Sequence, residues 1–423
     1  MEGPIDRTVL ANGVRIVSLP MPHSRSVSLG VWVNAGARDE ADPENGLSHF
    51  IEHMIFKGTR KRSAFQIAKE FDGIGGHTNA FTSMEHTCFH AKVLGARIET
   101  MVDILSDIFL NSLFDPREVE RERPVILQEI GMVEDSPEDY IHTLAGNTFW
   151  GDNPLGRSIL GTRENIAQFN ADTIHGFFRR LYQPERIVIA AAGHLDHRRL
   201  VDLVGPAFET VRPGNGFPPR ITPINRPQVA LHPRELEQVH ICLGTPGLSM
   251  TDPRRYAFSL LNTILGGNMS SRLFQEIREA RGLAYAVYSF IAAHADTGMF
   301  GVYLAVSPEQ AQPAVGLVAV ELARMAREPV DPAELAGAVE YTKGSLLLAA
   351  ESADNQMVRA AQNEIYFEAD VSLDEVISRL ESVTPEEIQE LARTLLRPDQ
   401  TMLTLLGPVK ARPETFDGCL LRH

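Results

Sequence analysis

A chain of 423 residues is longer than one hydrophobic core ordinarily organises, so two or more domains are expected. Hydrophobic residues make up 43% of it and charged residues 22%, the balance of a folded globular protein, which excludes broad disorder. The net charge is -15, from 55 acidic against 40 basic side chains, and it disfavours nucleic acid and anionic membrane as partners, since both require a positive surface.

The N-terminus, MEGPIDRTVLANG, has neither the basic and apolar regions of a secretory signal nor the arginine-rich character of a transit peptide. Two segments of period-two alternation follow, residues 13–20 and 26–34, and predict strands. Helices are predicted at 46–57 and 64–72, a strand near 78–93, and further helices at 96–110 and 116–134. The apolar run RIVIAAAG at 186–193 predicts a buried strand. Residues 211–227 hold five prolines and two glycines with little apolar periodicity, and read as an extended linker. No run approaches the roughly 18 apolar residues of a membrane span. Cys88, Cys242 and Cys419 are too widely spaced for a disulfide framework or a CxxC site, so a reducing, cytoplasmic compartment is expected.

The two sides of the linker resemble diverged copies. DPREVE at 115–120 answers to DPAELA at 331–336, SVSLGVWVNAG at 26–36 to EQVHICLGTPG at 237–247, and the alternation around Phe89 to that around Phe300. The common offset, roughly 210 to 216 residues, indicates duplication. The expected architecture is α+β, with two homologous domains, each a mainly antiparallel sheet with helices packed on one face. The boundaries are 1–212, a linker at 213–227, and 228–423.

The chemistry concentrates in NGLSHFIEHMIFKG, which carries His49, Glu52 and His53 in the order H-x-x-E-H. Residues four apart share a helix face, so His49 and His53 can direct two imidazoles at one ion. Zinc favours such nitrogen donors and, when catalytic, keeps one position open for water. Glu52 lies near the same face, where a carboxylate can take a proton from water acidified by the metal. The order is the reverse of H-E-x-x-H and is the inverzincin signature. A third ligand is needed, and REVERERPVILQEI at 117–130 is the best acidic supply. Glu122 and Glu129 are seven residues apart, on one helical face. Glu129 sits among apolar residues, where an acid needs a partner. Glu118 and Glu120 read as a solvated charged face.

These segments resemble the pitrilysin family of zinc peptidases. The resemblance covers nearly the whole chain and rests on NGLSHFIEHMIFKGT at 45–59, GGHTNAFTSMEHT at 75–87, EVERERPVILQEI at 118–130 and SSRLFQEIREARGLAYAVYS at 270–289. It implies that Glu129, 76 positions after His53, is the third zinc ligand and that Glu122 supports catalysis. It implies that Asn79, Ala80, Phe81 and Thr82 form an exposed edge strand on which an extended peptide is laid by β-augmentation. In the second copy, Arg278 would bind the substrate backbone and Tyr285 would stabilise the oxyanion. The counterparts of His49 and His53 fall near Leu260 to Ile264, and that of Glu129 near Lys343 to Ser345, so only the first copy keeps the metal set.

Two local features depart from this pattern. Pro124 interrupts the acidic helix, at a usual cost of about 3 kcal/mol, and if it kinks the helix Glu122 need not point at the site. His77, His86 and His90 crowd the edge-strand segment, where hydrogen-bonding roles are expected for them. The length is that of half-size family members, which implies a homodimer with one Zn2+ per chain, enclosing short peptides or unfolded segments in a chamber. Two other readings are the catalytic subunit of a heterodimeric processing peptidase and a non-catalytic structural homologue.

Overall fold

The computed structural model describes residues 4–214, 216–409 and 412–416; Asn215 in the linker and Cys419 lie outside the described residues. The chain divides into two compact units that exchange segments. Unit 1 takes the chain up to Gly131, Arg157–Arg220 and Leu347–Ser372; unit 2 takes Met132–Gly156, Ile221–Leu346 and the chain from Leu373 onward.

In unit 1, β1 (Asp6–Val9), β2 (Arg15–Pro20), β3 (Ser26–Val33), β4 (His77–Thr82), β5 (Thr87–Leu94) and β6 (Ile187–Gly193) form a sheet of order β1-β2-β6-β3-β5-β4. In unit 2, β7 (Val229–Pro233), β8 (Val239–Gly247), β9 (Ala284–Ala293), β10 (Gly298–Val306) and β11 (Met402–Gly407) form a sheet of order β7-β11-β8-β10-β9. With β1 set aside, the two orders are the same. Each contains a single parallel pair in the corresponding place, β2 with β6 and β7 with β11, and antiparallel pairs elsewhere. The duplication read from the sequence is therefore a duplication of topology.

The helices follow the same repeat. The first half supplies α1 (Leu47–Met54), α2 (Ala64–Gly73), α3 (Ile98–Asn111), α4 (Pro116–Asp135), α5 (Pro137–Trp150), α6 (Arg163–Gln168), α7 (Ala171–Leu181) and α8 (His197–Phe208). The second supplies α9 (Arg255–Gly266), α10 (Ala311–Arg327), α11 (Pro332–Ala350), α12 (Ala353–Gln362), α13 (Leu373–Glu381) and α14 (Pro385–Leu395). In unit 1, α1, α3, α7 and α8 bury Phe50, Met54, Leu105, Ile108, Phe177 and Val204 against Val31, Phe89 and Ile189 of the sheet. In unit 2, α9, α10 and α14 do the same with Leu261, Val318 and Leu391 against Ile241, Phe300 and Leu405. This is the helical layer on one sheet face that the alternating strands predict. Among the described residues no helix is long and apolar enough to cross a membrane.

Two findings go beyond the sequence reading. The strand expected near 78–93 is a hairpin, β4 and β5, closed by a turn in which Ser83 N–H donates to His86 O at 2.8 Å. Ser83-Met84-Glu85 continues the polar-apolar alternation of the strands, so the turn leaves no break in the pattern. In addition, the second face of each sheet carries one helix from the other half of the chain. On the unit 1 sheet, α12 covers Val17, Trp32, Cys88 and Val188 with Met357, Ala360 and Ala361. Trp32 Nε1 donates to Met357 Sδ at 3.2 Å, and a Cβ on Gly30 would stand 2.8 Å from the same sulfur, so a glycine is needed there. On the unit 2 sheet, α5 packs over β8 and β11 and buries Ile141, Ala145 and Phe149.

The linker is fastened to unit 1 by a buried ion network. Arg220 donates to Asp39 Oδ2 at 2.8 Å and to Glu85 O at 2.9 Å, Arg186 approaches Asp39 at 3.3 Å, and Arg38 pairs with Glu85 at 2.6 Å. Removing one member leaves its partners charged and desolvated. Arg220→Ala is expected to destabilise unit 1 by about 3 kcal/mol, with Arg220→Lys recovering only part, because an ammonium cannot reproduce the fork of the guanidinium. Urea unfolding followed by the fluorescence of Trp32 in a Trp150→Phe background tests this; an unchanged midpoint for Arg220→Ala would show the network to be dispensable.

Candidate metal centre

Helix α1 is placed by its start. Gly46, the residue before it, has φ 105°, a conformation that glycine adopts freely, and a Cβ there would stand 2.9 Å from Gly161 Cα and Leu160 O. The first backbone N–H groups of the helix meet Glu40: Gly46 N–H donates to its Oε2 at 2.8 Å and Ser48 N–H to its Oε1 at 2.7 Å, with Asn45 Nδ2 adding a third bond at 3.1 Å. An anion at this end also suits the helix dipole. Burial pushes the Glu40 carboxyl up to about 7, against the lowering effect of those hydrogen bonds. Leu47, Phe50, Ile51 and Met54 anchor the opposite side in the core, which leaves His49 and His53 on the remaining face.

Helix α4 runs unbroken from Pro116 to Asp135 with Pro124 inside it, and buries Val119, Glu122, Ile126 and Ile130. Pro124 leaves Glu122 in place, facing His53. Only the bond from residue 124 to the Glu120 carbonyl is lost to the ring. The neighbouring Arg123 meanwhile ties the helix to the backbone by donating to Phe169 O at 2.7 Å and to Ile166 O.

Glu129 Oε2 lies 3.6 Å from His49 Nε2 and 3.4 Å from His53 Nε2. Among the described residues these three form the one group of three or more His, Cys, Asp or Glu that could hold a metal, with their ligand atoms all within 4.8 Å. A tetrahedron with metal–ligand distances of about 2.1 Å has edges of about 3.4 Å. The donor set therefore fits zinc in element type, and the two separations from Glu129 fit the edge of such a tetrahedron. The His49 side chain is buried, whereas 40% of the Glu129 side chain is exposed, so the group is open on one side. His49 Nδ1 is buried without a hydrogen-bond partner among the described residues, and Nε2 is the nitrogen presented to the cluster.

The supporting contacts are asymmetric. His53 Nδ1 meets Glu122 Oε1 at 2.9 Å, and Lys57 Nζ pairs with the other oxygen of Glu122. A carboxylate on the far nitrogen fixes the tautomer that offers Nε2 to a metal. Burial acts to lower the His53 pKa, yet the Glu122 hydrogen bond and the charges of Glu122, Glu129 and Glu52 outweigh it and hold it above the ordinary value. Glu129 is held below the usual carboxylate range by the approach of His49 and by the charge of both rings, against its partial burial.

Glu52 lies beside this group, and its Oε2 accepts from Thr82 Oγ1 at 2.6 Å. Thr82 ends β4, which is the outermost strand and pairs only with β5 within its sheet. Asn79 is exposed, while Ala80, Phe81 and Thr82 are partly covered. Phe81 meets Trp32 edge-on, and Ala80 packs against the main core. Of the neighbouring histidines, His77 is exposed, His86 packs near Trp32 and Tyr366, and His90 lies edge-on to Phe81; none belongs to the donor group. In unit 2, Tyr285 is 81% exposed on the edge strand β9, with the Arg278 guanidinium 4.8 Å above its ring. It is thus not a core aromatic.

Two residues of this region are absent from the sequence reading. Lys57 lies in the turn just beyond α1, where the helix predicted to residue 57 has already ended. Glu40 carried no signal that local capping patterns recognise, since it reaches the helix from six to eight residues upstream rather than from the cap position.

Comparison with known proteins gives two family matches along the chain. Residues 15–163 match the family described as "Insulinase (Peptidase family M16)", and residues 168–341 match "Peptidase M16 inactive domain". An uncharacterized zinc protease of Streptomyces coelicolor is 41% identical over 96% of this chain and 90% of its own length. An uncharacterized zinc protease of Bacillus subtilis is 40% identical over 96% of this chain and 98% of its own. Among solved structures, a protease from Helicobacter pylori superposes with a TM-score of 0.90 at 20% identity, covering 96% of this chain and 100% of that one, and shares the fold. The sequence resemblance, the duplicated topology and these relatives agree: the chain belongs to peptidase family M16, the pitrilysin family of zinc proteases.

Proposed function

We propose that this chain is an inverzincin-type zinc endopeptidase that cleaves short peptides or unfolded segments, held extended in a closed chamber. The observation that carries the reading is the separation of Glu129 Oε2 from His49 Nε2 and from His53 Nε2, which is close to the edge of a tetrahedral zinc site. Zinc, when bound, lowers the pKa of a water molecule to about 7 and polarises a carbonyl oxygen. Glu52 then accepts the proton of the attacking water and returns it to the leaving amine. Glu122 holds the His53 ring in the required tautomer.

The substrate lies along β4, at residues 79–82. Ser83 and His86 are a hydrogen-bonded pair, and such pairs alternate along an antiparallel ladder. The backbone groups of Thr78, Ala80 and Thr82 therefore face the free edge, where an extended peptide would pair with them, displacing Asn79 Oδ1 from the Ala80 N–H it accepts from at 2.9 Å. Tyr285 donates to the oxyanion and Arg278 to the substrate backbone; their support is the exposed hydroxyl-bearing ring and the guanidinium stacked on it. The working form in this proposal is a cytoplasmic homodimer with one zinc per chain, whose second half, from residue 228, lends contacts without metal. The complete donor set speaks against a non-catalytic homologue. The presence of both the donor set and the Arg278–Tyr285 pair in one chain speaks against a catalytic subunit that depends on a different partner.

Glu52→Gln should lower peptide hydrolysis by at least about 100-fold while zinc remains at one equivalent by atomic absorption; retained activity would remove Glu52 from its role. Glu129→Ala should lose the metal, and Glu122→Gln should weaken zinc affinity by about 10- to 100-fold, both read by competition with a chromogenic chelator. The purified chain alone should cleave an unstructured peptide and elute at twice its mass in light scattering. A monomer that gains activity only from an added, different subunit would replace the homodimer by the heterodimer.

A further inference from the structure

Thr82 belongs to two parts of the site at once. Its backbone, by the alternation fixed at the Ser83–His86 turn, points to the free edge of β4. Its side chain stands out of the sheet plane toward α1, where Oγ1 donates to Glu52 Oε2 at 2.6 Å and lies 3.5 Å from Ser48 O. Among the described residues this hydroxyl is the single hydrogen-bond partner of the Glu52 carboxylate. The geometry is over-determined. Thr82 is paired with Thr87 across the hairpin, and Thr87 is itself fixed by a bond from its hydroxyl to Ala35 O at 3.1 Å. A β-branched side chain on a strand has restricted χ1 freedom, so fixing the backbone also fixes the hydroxyl.

We propose that Thr82 is a positioning residue, which locks the rotamer of Glu52 and thereby ties the alignment of the base to the strand on which the peptide docks. With Oε2 held by the hydroxyl, Oε1 is the oxygen left to take the proton from water. A peptide that pairs with the backbone at position 82 braces the same residue that holds the base, so docking in register and alignment of the carboxylate are set by one side chain. The other acids are fastened differently, Glu122 by His53 and Lys57, and Glu129 by the two imidazoles it faces. Glu52 alone depends on the edge strand.

The inference rests on Glu52 being the base, and the test separates the two. Thr82→Val keeps shape and strand propensity while removing the hydroxyl, and Thr82→Ser keeps the hydroxyl. Both are compared with Glu52→Gln in the zinc-loaded full chain. Thr82→Val is expected to lower kcat by about 10- to 100-fold, with KM, zinc affinity and the affinity of metal-free protein for the same peptide, read by fluorescence anisotropy, each within about twofold. Thr82→Ser should recover most of the lost turnover. Wild-type kcat in Thr82→Val, alongside an inactive Glu52→Gln, overturns the positioning role and leaves the base assignment standing. A Thr82→Val defect confined to KM and to anisotropy assigns Thr82 to docking alone, and a loss of zinc assigns it to the support of α1; either overturns the proposal. Activity retained in Glu52→Gln overturns the base assignment and this inference with it.

Discussion

The site depends on bringing two acids of α4 against two imidazoles of α1. Glu122 and Glu129 sit on one face of a single helix, and each reaches a ring nitrogen of the other helix, at 2.9 Å and at 3.4 to 3.6 Å. Glu52 adds a third carboxylate close by. Three acids in a partly desolvated pocket repel one another, and the cations facing them are Lys57 and whatever charge the histidines take up. A divalent ion resolves that imbalance, and the rest of unit 1 is arranged so that the groups cannot move apart to resolve it otherwise. Glu40 pins the start of α1, the core holds its apolar side, and Arg123 fastens α4 on the far side of Pro124.

The duplication shows what a fold of this kind requires apart from the metal. Unit 2 reproduces the strand order and the parallel pair, and among its described residues no group of three or more side chains is gathered that could hold a metal. On α9, the counterpart of α1, the positions matching the histidines fall among Leu260, Leu261 and Ile264, all buried in an apolar core. An element that places two imidazoles at a cluster in one copy is an ordinary packing helix in the other. The metal set is therefore an addition to a stable scaffold, and not a condition for forming it.

Much of this was legible in the sequence because its signals are local. The four-residue spacing of His49 and His53 needs only a helix to acquire meaning, and the seven-residue spacing of Glu122 and Glu129 needs only another. The duplication was legible because order and offset were preserved over several segments. What was not legible depends on tertiary placement. The alternation across residues 78–93 concealed a turn, because Ser83 to Glu85 keep the polarity of a strand. The exchange of α5 and α12 has no signature in periodicity: an amphipathic helix declares that it will be buried but not on which sheet. Pro124 carried a local warning that the surrounding contacts override, since one missing backbone bond is a small term beside the side chains that α4 buries. Glu40 was missed because its partners lie beyond the span of the capping patterns.

The two edges of the unit 1 sheet make a final argument about function from the fold itself. An exposed edge strand invites pairing with foreign chains, and proteins normally blunt it. At one edge that has happened: β1 is four residues long, charged, and tied down by a bidentate pair between Arg7 and Glu364, with Asp370 accepting from Ile5 N–H. At the other edge, β4 is six residues long, and its only charge-capable side chain is His77, at the end far from Glu52. The same sheet thus protects the edge that is remote from the donor group and leaves unprotected the edge whose last residue touches Glu52. Open backbone groups at a sheet edge are a liability in any protein that does not use them, and pairing with an extended peptide is the use that the proposed function gives them.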